Sequence, residues 1–325
     1  MLRPDLDVVI PCFNEEAGVD LLVDALRETF SRKALDQAGV SEVRFIFIDD
    51  GSRDTTAAKL HAHLRNGLPG TLLILSRNFG HQSAVSAGLD VANARLVAVM
   101  DADLQDPPGV ILQMIARWRE GYEVVYAERR KRKEFFLKVA AYWVFYRILA
   151  FLSEVPVPKD AGDFCLMDQK VVEALRRLPE RIRFPRGLRA WVGFRQCGFP
   201  YERRGRQRGE TKYTLAKLYR LATDGIASMS TRALRITQLF TFLFALASLA
   251  FSGAAIWFLI DQRPEQPWAI WFILGYLLNA SLGFMVMFAL YILGAYVGRT
   301  YLEVKQRPSY IVREILRSDV RVDPS

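Results

Sequence analysis

Cysteine and histidine are scarce, with three of each in 325 residues. Cys12, Cys165 and Cys197 are widely separated, which excludes a disulfide framework and a paired structural zinc site and fits a reducing compartment. His61 and His63 lie two apart, so on a helix they point to different faces and make a poor metal pair. The fingerprint G-x-G-x-x-G is missing after the first apolar run, and no Walker A pattern occurs. A nicotinamide-type Rossmann site and a P-loop therefore both lack support. No fixed-period repeat is present, which excludes a solenoid. The N-terminus, MLRPDLDVVIPCFNEE, lacks an apolar core of signal-peptide length, so the first two thirds of the chain are expected to stay in the cytoplasm.

Charge is missing from two long stretches near the C-terminus. Ile236–Ile260 and Trp268–Gly298 hold no acidic or basic side chain, and each is long enough to cross a hydrocarbon core of about 30 Å as a helix. A buried hairpin of a soluble protein is the competing reading, but such helices rarely stay free of charge over about 20 residues. Trp257, Trp268 and Trp271 flank the short turn between the runs, as an interfacial aromatic belt requires. Arg232 and Arg235 precede the first run and Arg299, Lys305 and Arg307 follow the second, so both termini are expected on the cytoplasmic side. The net charge of +9 then fits anionic lipid and a phosphorylated substrate more economically than nucleic acid.

The first half of the chain repeats one plan. An apolar run stops at a turn rich in acids, glycine or proline, and an amphipathic helix follows. LDVVIPCFNEE reads as a strand over Val8–Ile10 that stops at Pro11, followed by a helix from about Ala17 to Phe30. VRFIFIDDGSRD ends in Asp49 and Asp50, with Asp54 placed to cap the next helix. GTLLILSRNFG and ARLVAVMDADLQDPP repeat the pattern. The alternation predicts a doubly wound α/β domain with a mostly parallel sheet covered on both faces. Ligands of such sheets bind beyond the carboxyl ends of the strands. Pro11–Glu15, Asp49–Ser52, Arg77–Gly80 and Asp101–Asp106 should therefore gather on one edge. A lone strand-end Asp is usually a cap or turn former, but four converging ends point to a site. Asp101 and Asp103, spaced i and i+2 at a strand end, can turn to one hard divalent cation that also takes diphosphate oxygens.

Basic residues cluster later. YERRGRQRGETKY sets Arg203, Arg204, Arg206, Arg208 and Lys212 around two glycines, suited to phosphate recognition or to a lipid-facing surface. FFLKVAAYWVFYRILAF, Phe135–Phe151, is interrupted by Lys138 and Arg147 and fits an interfacial helix or a subunit contact. The run Arg129–Lys133 would lie beside the strand-end edge as a loop able to close over phosphates, and Leu215–Ala227 is a second candidate surface helix.

The ordered set VVIPCFNEE, FIDDGSRD, NFGHQSAVSAGLD, MDADLQDPP, DAGDFCLMD, RFPRGLRAWVGF and RQRGETKY resembles the inverting family 2 glycosyltransferases of GT-A fold. Within them it is similar to the polyprenyl-phosphate sugar synthases, including dolichol-phosphate mannose synthase and bacterial undecaprenyl-phosphate glycosyltransferases. The resemblance implies transfer of a sugar from a nucleotide donor, most simply a UDP-sugar, to polyprenyl phosphate, at the cytoplasmic face of a bacterial inner membrane. It implies a donor site of Pro11, Phe13, Glu15, Asp49, Asp50 and Asp101, joined by Arg129 from the basic run. Asp101, Asp103 and Gln105 would hold Mg2+ or Mn2+. Arg186, Arg206, Lys212 and Tyr213 would face the acceptor phosphate, with Arg206 and Lys212 also serving the reaction. Asp163 would orient or deprotonate the acceptor. A homo-oligomer, with a tetramer favoured, is implied as well. Position 81 departs from the pattern, because relatives often carry Lys where this chain has His81.

On this reading residues 1–213 form the GT-A domain, 214–235 a juxtamembrane segment, 236–298 two membrane helices and 299–325 a cytoplasmic tail. A processive polysaccharide synthase fits less well, since RGLRAW lacks the Gln of Q-x-x-R-W and only two spans are present. A membrane scaffold without chemistry is opposed by the intact Asp101 and Asp103.

Overall fold

The computed structural model describes residues 5–129, 161–181, 183, 185–202, 232–261 and 268–318. The expectations for Arg206, Lys212, Tyr213, Phe135–Phe151 and Leu215–Ala227 lie outside these residues, as does the side chain of Arg129.

Four strands form the centre of the sheet: β1 (Leu6–Cys12), β2 (Val43–Asp49), β3 (Gly70–Leu75) and β4 (Leu96–Val99). β1 pairs in parallel with both β2 and β4, and β2 pairs in parallel with β3. Helices connect them, namely α1 (Val19–Thr29), α2 (Arg32–Ala38), α3 (Thr56–Arg65) and α4 (His81–Val91). The apolar runs are nearly continuous because both faces are covered. Val8 and Ile10 face one buried cluster together with α1, while Val9 faces the other with α4. Val19, Leu22, Val23 and Leu26 form the buried stripe of α1 at helical spacing. On the opposite face, a Cβ at Gly88 would lie 2.3 Å from Val9 Cγ1 and 2.7 Å from Ile48 Cδ1. Glycine there lets α4 rest directly on β1 and β2.

β1 runs two residues beyond the expected stop, through Pro11 to Cys12. Val9 accepts from Met100 N–H on the β4 side and Cys12 accepts from Asp50 N–H on the β2 side. This alternation turns the missing N–H of Pro11 towards β4, which has already ended at Val99 opposite Val9. No ladder bond is lost, so proline is tolerated in a central strand.

The sheet has eight strands and is mixed. After α5 (Gly109–Arg119) come β5 (Val124–Arg129) and β6 (Ala161–Asp168), then α6 (Gln169–Arg176), α7 (Pro185–Trp191) and β7 (Gln196–Tyr201). β6 lies antiparallel between β4 and β5, and β7 runs parallel to β5. Two apolar helices follow, α8 (Arg232–Asp261) and α9 (Trp268–Val304), both long and apolar enough to cross a membrane.

The segment beyond α9 is more than a tail. It returns to the sheet as β8 (Val312–Arg317), antiparallel to β3. Glu303 Oε2 accepts from Arg181 N–H at 2.9 Å, and Tyr310 O–H donates to Asp90 Oδ2 at 2.7 Å. These contacts join the end of the second apolar helix to the α/β domain, and the Tyr310 bond falls at the far end of α4.

Candidate functional site

The four strand ends meet as the topology requires. Gly51 adopts φ 68°, and a Cβ there would lie 2.4 Å from Arg77 C and 2.5 Å from Asn78 N. Only glycine lets the turn after β2 press so closely on the turn after β3. Asn14 N–H donates to Ser52 Oγ, Arg53 N–H to Asn14 Oδ1 and Glu15 N–H to Thr56 Oγ1, stitching the turn after β1 to the turn after β2. Asp54 Oδ1 accepts from the N–H of Thr56, the first residue of α3, but the cap position is Thr55, whose side chain makes no capping bond, so Asp54 meets the helix start from one residue further out than a cap. Phe13 stands 43% exposed on this edge, an apolar ring presented beside buried Pro11.

Asp49 and Asp50 are both buried, at 2% and 3% exposure, but occupy different roles. Asp50 accepts from Phe79 N–H, Gly80 N–H and Asn78 Nδ2, so its carboxylate pins the turn after β3. Asp49 Oδ2 accepts from Ser52 N–H at 3.2 Å, whereas its Oδ1 has no hydrogen-bond partner among the described residues. Burial pushes the carboxyl of Asp49 above its ordinary value, against the opposing bonds from Ser52. Burial likewise raises Asp50, partly offset by Phe79 and Gly80 N–H. An unpartnered buried acceptor is expensive, and a ligand donor would satisfy it.

A second group forms where the end of β4 meets the start of the antiparallel β6. His81 opens α4 directly after Gly80, which has φ 96°. Its Nε2 lies 3.6 Å from Asp101 Oδ1 and 3.4 Å from Asp163 Oδ2. Arg186 of α7 contacts both Asp163 oxygens at 3.4 Å, and Gln82 Nε2 donates to Asp163 Oδ2 at 3.2 Å. Burial would raise the pKa of Asp163, yet the His81 bond and the charge of Arg186 hold it well below the usual carboxylate range. Burial would lower His81, but the bond to Asp163 and the charge of Asp101 raise it. Burial raises Asp101; His81 opposes this, while Asp163, Asp106 and Asp103 add to it. Asp163 is thus a fixed anion, and Asp101 is a crowded carboxylate that gains from a cation.

The loop after β4 carries the expected cation ligands. Leu104 has φ 55°, and Gln105 N–H donates to Asp103 Oδ1 at 3.1 Å. Among the described residues no three or more His, Cys, Asp or Glu side chains are grouped so that they could hold a metal ion by themselves. A cation held by Asp101 and Asp103 would take at least two oxygens from the protein and the rest from a diphosphate and water. That donor set, with the acid crowding at Asp101, fits Mg2+ or Mn2+.

The structure therefore groups Pro11, Phe13, Glu15, Asp49 and Asp50 on one side of the strand-end edge. It brings Asp101, from the loop after β4, to the side of Asp163 and Arg186 on the other. His81 and Gln82 join the second group. The departure from Lys at position 81 was the signal in the sequence, but its two acidic partners sit far apart in the chain, one in the loop after β4 and one on β6, and could not be read there.

The profile of glycosyl transferase family 2 matches residues 7–176. A protein of Bacillus subtilis (strain 168), the uncharacterized glycosyltransferase YkcC, is 38% identical over 311 residues, covering 94% of this chain and 93% of its own. The prophage bactoprenol glucosyl transferase homolog of Escherichia coli (strain K12) is 36% identical, with 95% and 99% covered. The bactoprenol glucosyl transferase of Shigella phage SfII is 35% identical, with 97% and 99% covered.

Proposed function

The chain belongs to glycosyl transferase family 2 and is a transferase of GT-A fold, and from that premise we propose that it moves a sugar from a UDP-sugar to undecaprenyl phosphate. The transfer inverts the anomeric centre, depends on Mg2+ or Mn2+, and takes place at the cytoplasmic face of a bacterial inner membrane. The observation that carries this reading is the meeting of Asp101 and Asp163 around His81, within 3.6 Å, beside the buried acids of the neighbouring strand ends. The names of the relatives at 35–36% identity support the acceptor class.

The nucleotide lies along the turns after β1 and β2. Phe13 offers a ring for the base, and the unpartnered Asp49 Oδ1 accepts a hydrogen bond from it or from the ribose. Asp50 serves by holding the turn after β3. Asp101 and Asp103, with Gln105 closing the loop, would hold the divalent cation, which when bound would supply charge neutralisation for the leaving diphosphate. Polyprenyl phosphate resembles other phosphate monoesters with a second pKa of about 6, so at neutral pH it is already a nucleophilic dianion. The remaining task is to bring two anions together. Arg186 answers it from one side, held beside Asp163, and Arg206, Lys212, Tyr213 and Arg129 are proposed to complete the phosphate contacts. Asp163, kept ionised by His81 and Arg186, orients the acceptor through these two cationic partners, which it holds in place, and needs no large proton affinity.

α8 and α9 are proposed to span the membrane with both termini in the cytoplasm, which puts the strand-end edge where a lipid-borne phosphate arrives. The test supplies purified protein with undecaprenyl phosphate in mixed micelles and a panel of labelled UDP- and GDP-sugars. Label should partition into the lipid extract with one UDP-sugar and Mg2+ or Mn2+. Label that stays in the aqueous phase with every donor refutes the acceptor.

A further inference from the structure

Tyr201, the last residue of β7, is neither a donor nor an acceptor ligand in the proposed reaction, yet its side chain touches both the loop that carries Asp101 and Asp103 and the neighbour of Asp163 on β6. Its hydroxyl donates to Asp106 Oδ1, and both residues are buried, at 6% and 1% exposure. Its ring meets Phe164 edge-on, with centroids 5.7 Å apart at 74°. Phe164 follows Asp163 on β6, and Asp106 closes the loop that carries Asp101 and Asp103.

That loop needs an external hold. Leu104, between Asp103 and Gln105, sits in the left-handed region at φ 55°, which a non-glycine residue adopts only where its surroundings enforce it. Its side chain packs against the buried cluster that also contains Tyr201 and Phe164. On the far side, Pro107 and Pro108 fix the backbone that leads into α5. Asp106 is thus a rigid post at the end of a strained loop, and the bond from Tyr201 ties that post to the end of β7, where the Tyr201 ring packs on Phe164 next to Asp163.

We propose that Tyr201 is a positioning residue that, through Asp106 and Phe164, sets the cation loop relative to Asp163 and so fixes the distance between the leaving diphosphate and the acceptor phosphate. The inference rests on the transfer reaction proposed above. It places specificity of geometry in a buried hydroxyl that touches neither substrate. Misplacing reacting groups by about 1 Å lowers rate on the order of 100-fold.

The test uses the full-length protein in undecaprenyl phosphate micelles with Tyr201→Phe, which keeps the ring on Phe164, Asp106→Ala, Asp106→Asn and the double variant Tyr201→Phe/Asp106→Ala. Tyr201→Phe and Asp106→Ala should each lower kcat roughly 10- to 100-fold. The donor KM should change little, because the nucleotide turns are untouched, whereas the melting temperature should fall by a few degrees, because each variant takes away one partner of a buried hydrogen bond. Asp106→Asn, whose amide oxygen still accepts from Tyr201, should return to within about threefold of wild type, and the double variant should be no slower than the slower single. Wild-type kcat in Tyr201→Phe, additive losses in the double variant, or a loss confined to donor KM and melting temperature overturns the inference. If the wild type transfers nothing to the lipid, the acceptor reading fails on its own. The same variants are then compared in acceptor-free hydrolysis of the donor, where Tyr201→Phe equal to wild type overturns the positioning role.

Discussion

Asp49→Asn should make the ligand-free protein more stable while removing its grip on the donor. In the structure Asp49 is buried, with one oxygen on Ser52 N–H and the other without a partner among the described residues. Leaving a buried acceptor unsatisfied costs about 1–3 kcal/mol, more when the group is charged, and the Ser52 bond returns part of that. An amide of the same shape keeps the bond to Ser52 and removes the charge. The gain at neutral pH should be about 1–2 kcal/mol, which for a domain of this size raises the melting temperature by roughly 2–8 °C. Its pH dependence follows from burial, which raises the carboxyl of Asp49. An acid whose folded pKa is raised contributes stability below its unfolded value, and that stability is lost as the pH rises through the folded value. The advantage of Asn over Asp should therefore vanish in acid and grow as the pH climbs out of the carboxylate range. Scanning fluorimetry with and without UDP and Mg2+ reads both effects. Wild type at 100 times its Kd for nucleotide should gain about 2.7 kcal/mol, and the variant should gain nothing. A variant that melts lower than wild type without ligand, or keeps the full nucleotide-induced shift, refutes the reasoning.

Asp163→Asn removes the anion shared by His81, Arg186 and Gln82. Breaking a fully buried pair costs about 3–5 kcal/mol, but His81 and Arg186 are 41% and 29% exposed, so about 1–2 kcal/mol is expected in denaturant titrations. The same variant should lower kcat about 100-fold in the transfer assay through loss of acceptor orientation. Gly51→Ala places a Cβ against the backbone of Arg77 and Asn78 at positive φ; a loss of about 2 kcal/mol with weakened nucleotide binding by calorimetry is expected. Chelation of divalent cations should abolish transfer, with Mg2+ or Mn2+ restoring it and monovalent salt failing to do so.

The core of this architecture was legible because its signals are local. Each of the first four strands ends in a turn, and their common edge follows from parallel pairing alone. Val8, Val9 and Ile10 alternate between two buried clusters, which is why β1 reads as an unbroken apolar run. β8 escaped the reading. VREILR is short, mostly exposed and charged at three positions, and it becomes a strand only by pairing with β3 across the two apolar helices. The antiparallel course of β6 was hidden for the same reason, since pairing direction depends on partners far along the chain. Within the site, residue types were readable and their divisions of labour were not. Asp49 and Asp50 are adjacent and identical, and only the approach of the turn after β3 makes one a pin and leaves the other with an open oxygen. Tyr201 is an ordinary strand residue until its hydroxyl meets Asp106.

The most direct measurement of the central claim compares wild type with Asp103→Asn in transfer of labelled sugar from a UDP-sugar to undecaprenyl phosphate. Lipid-extractable label from wild type and none from the variant is the predicted result. Label in the lipid extract from both proteins, or from neither, would contradict the account.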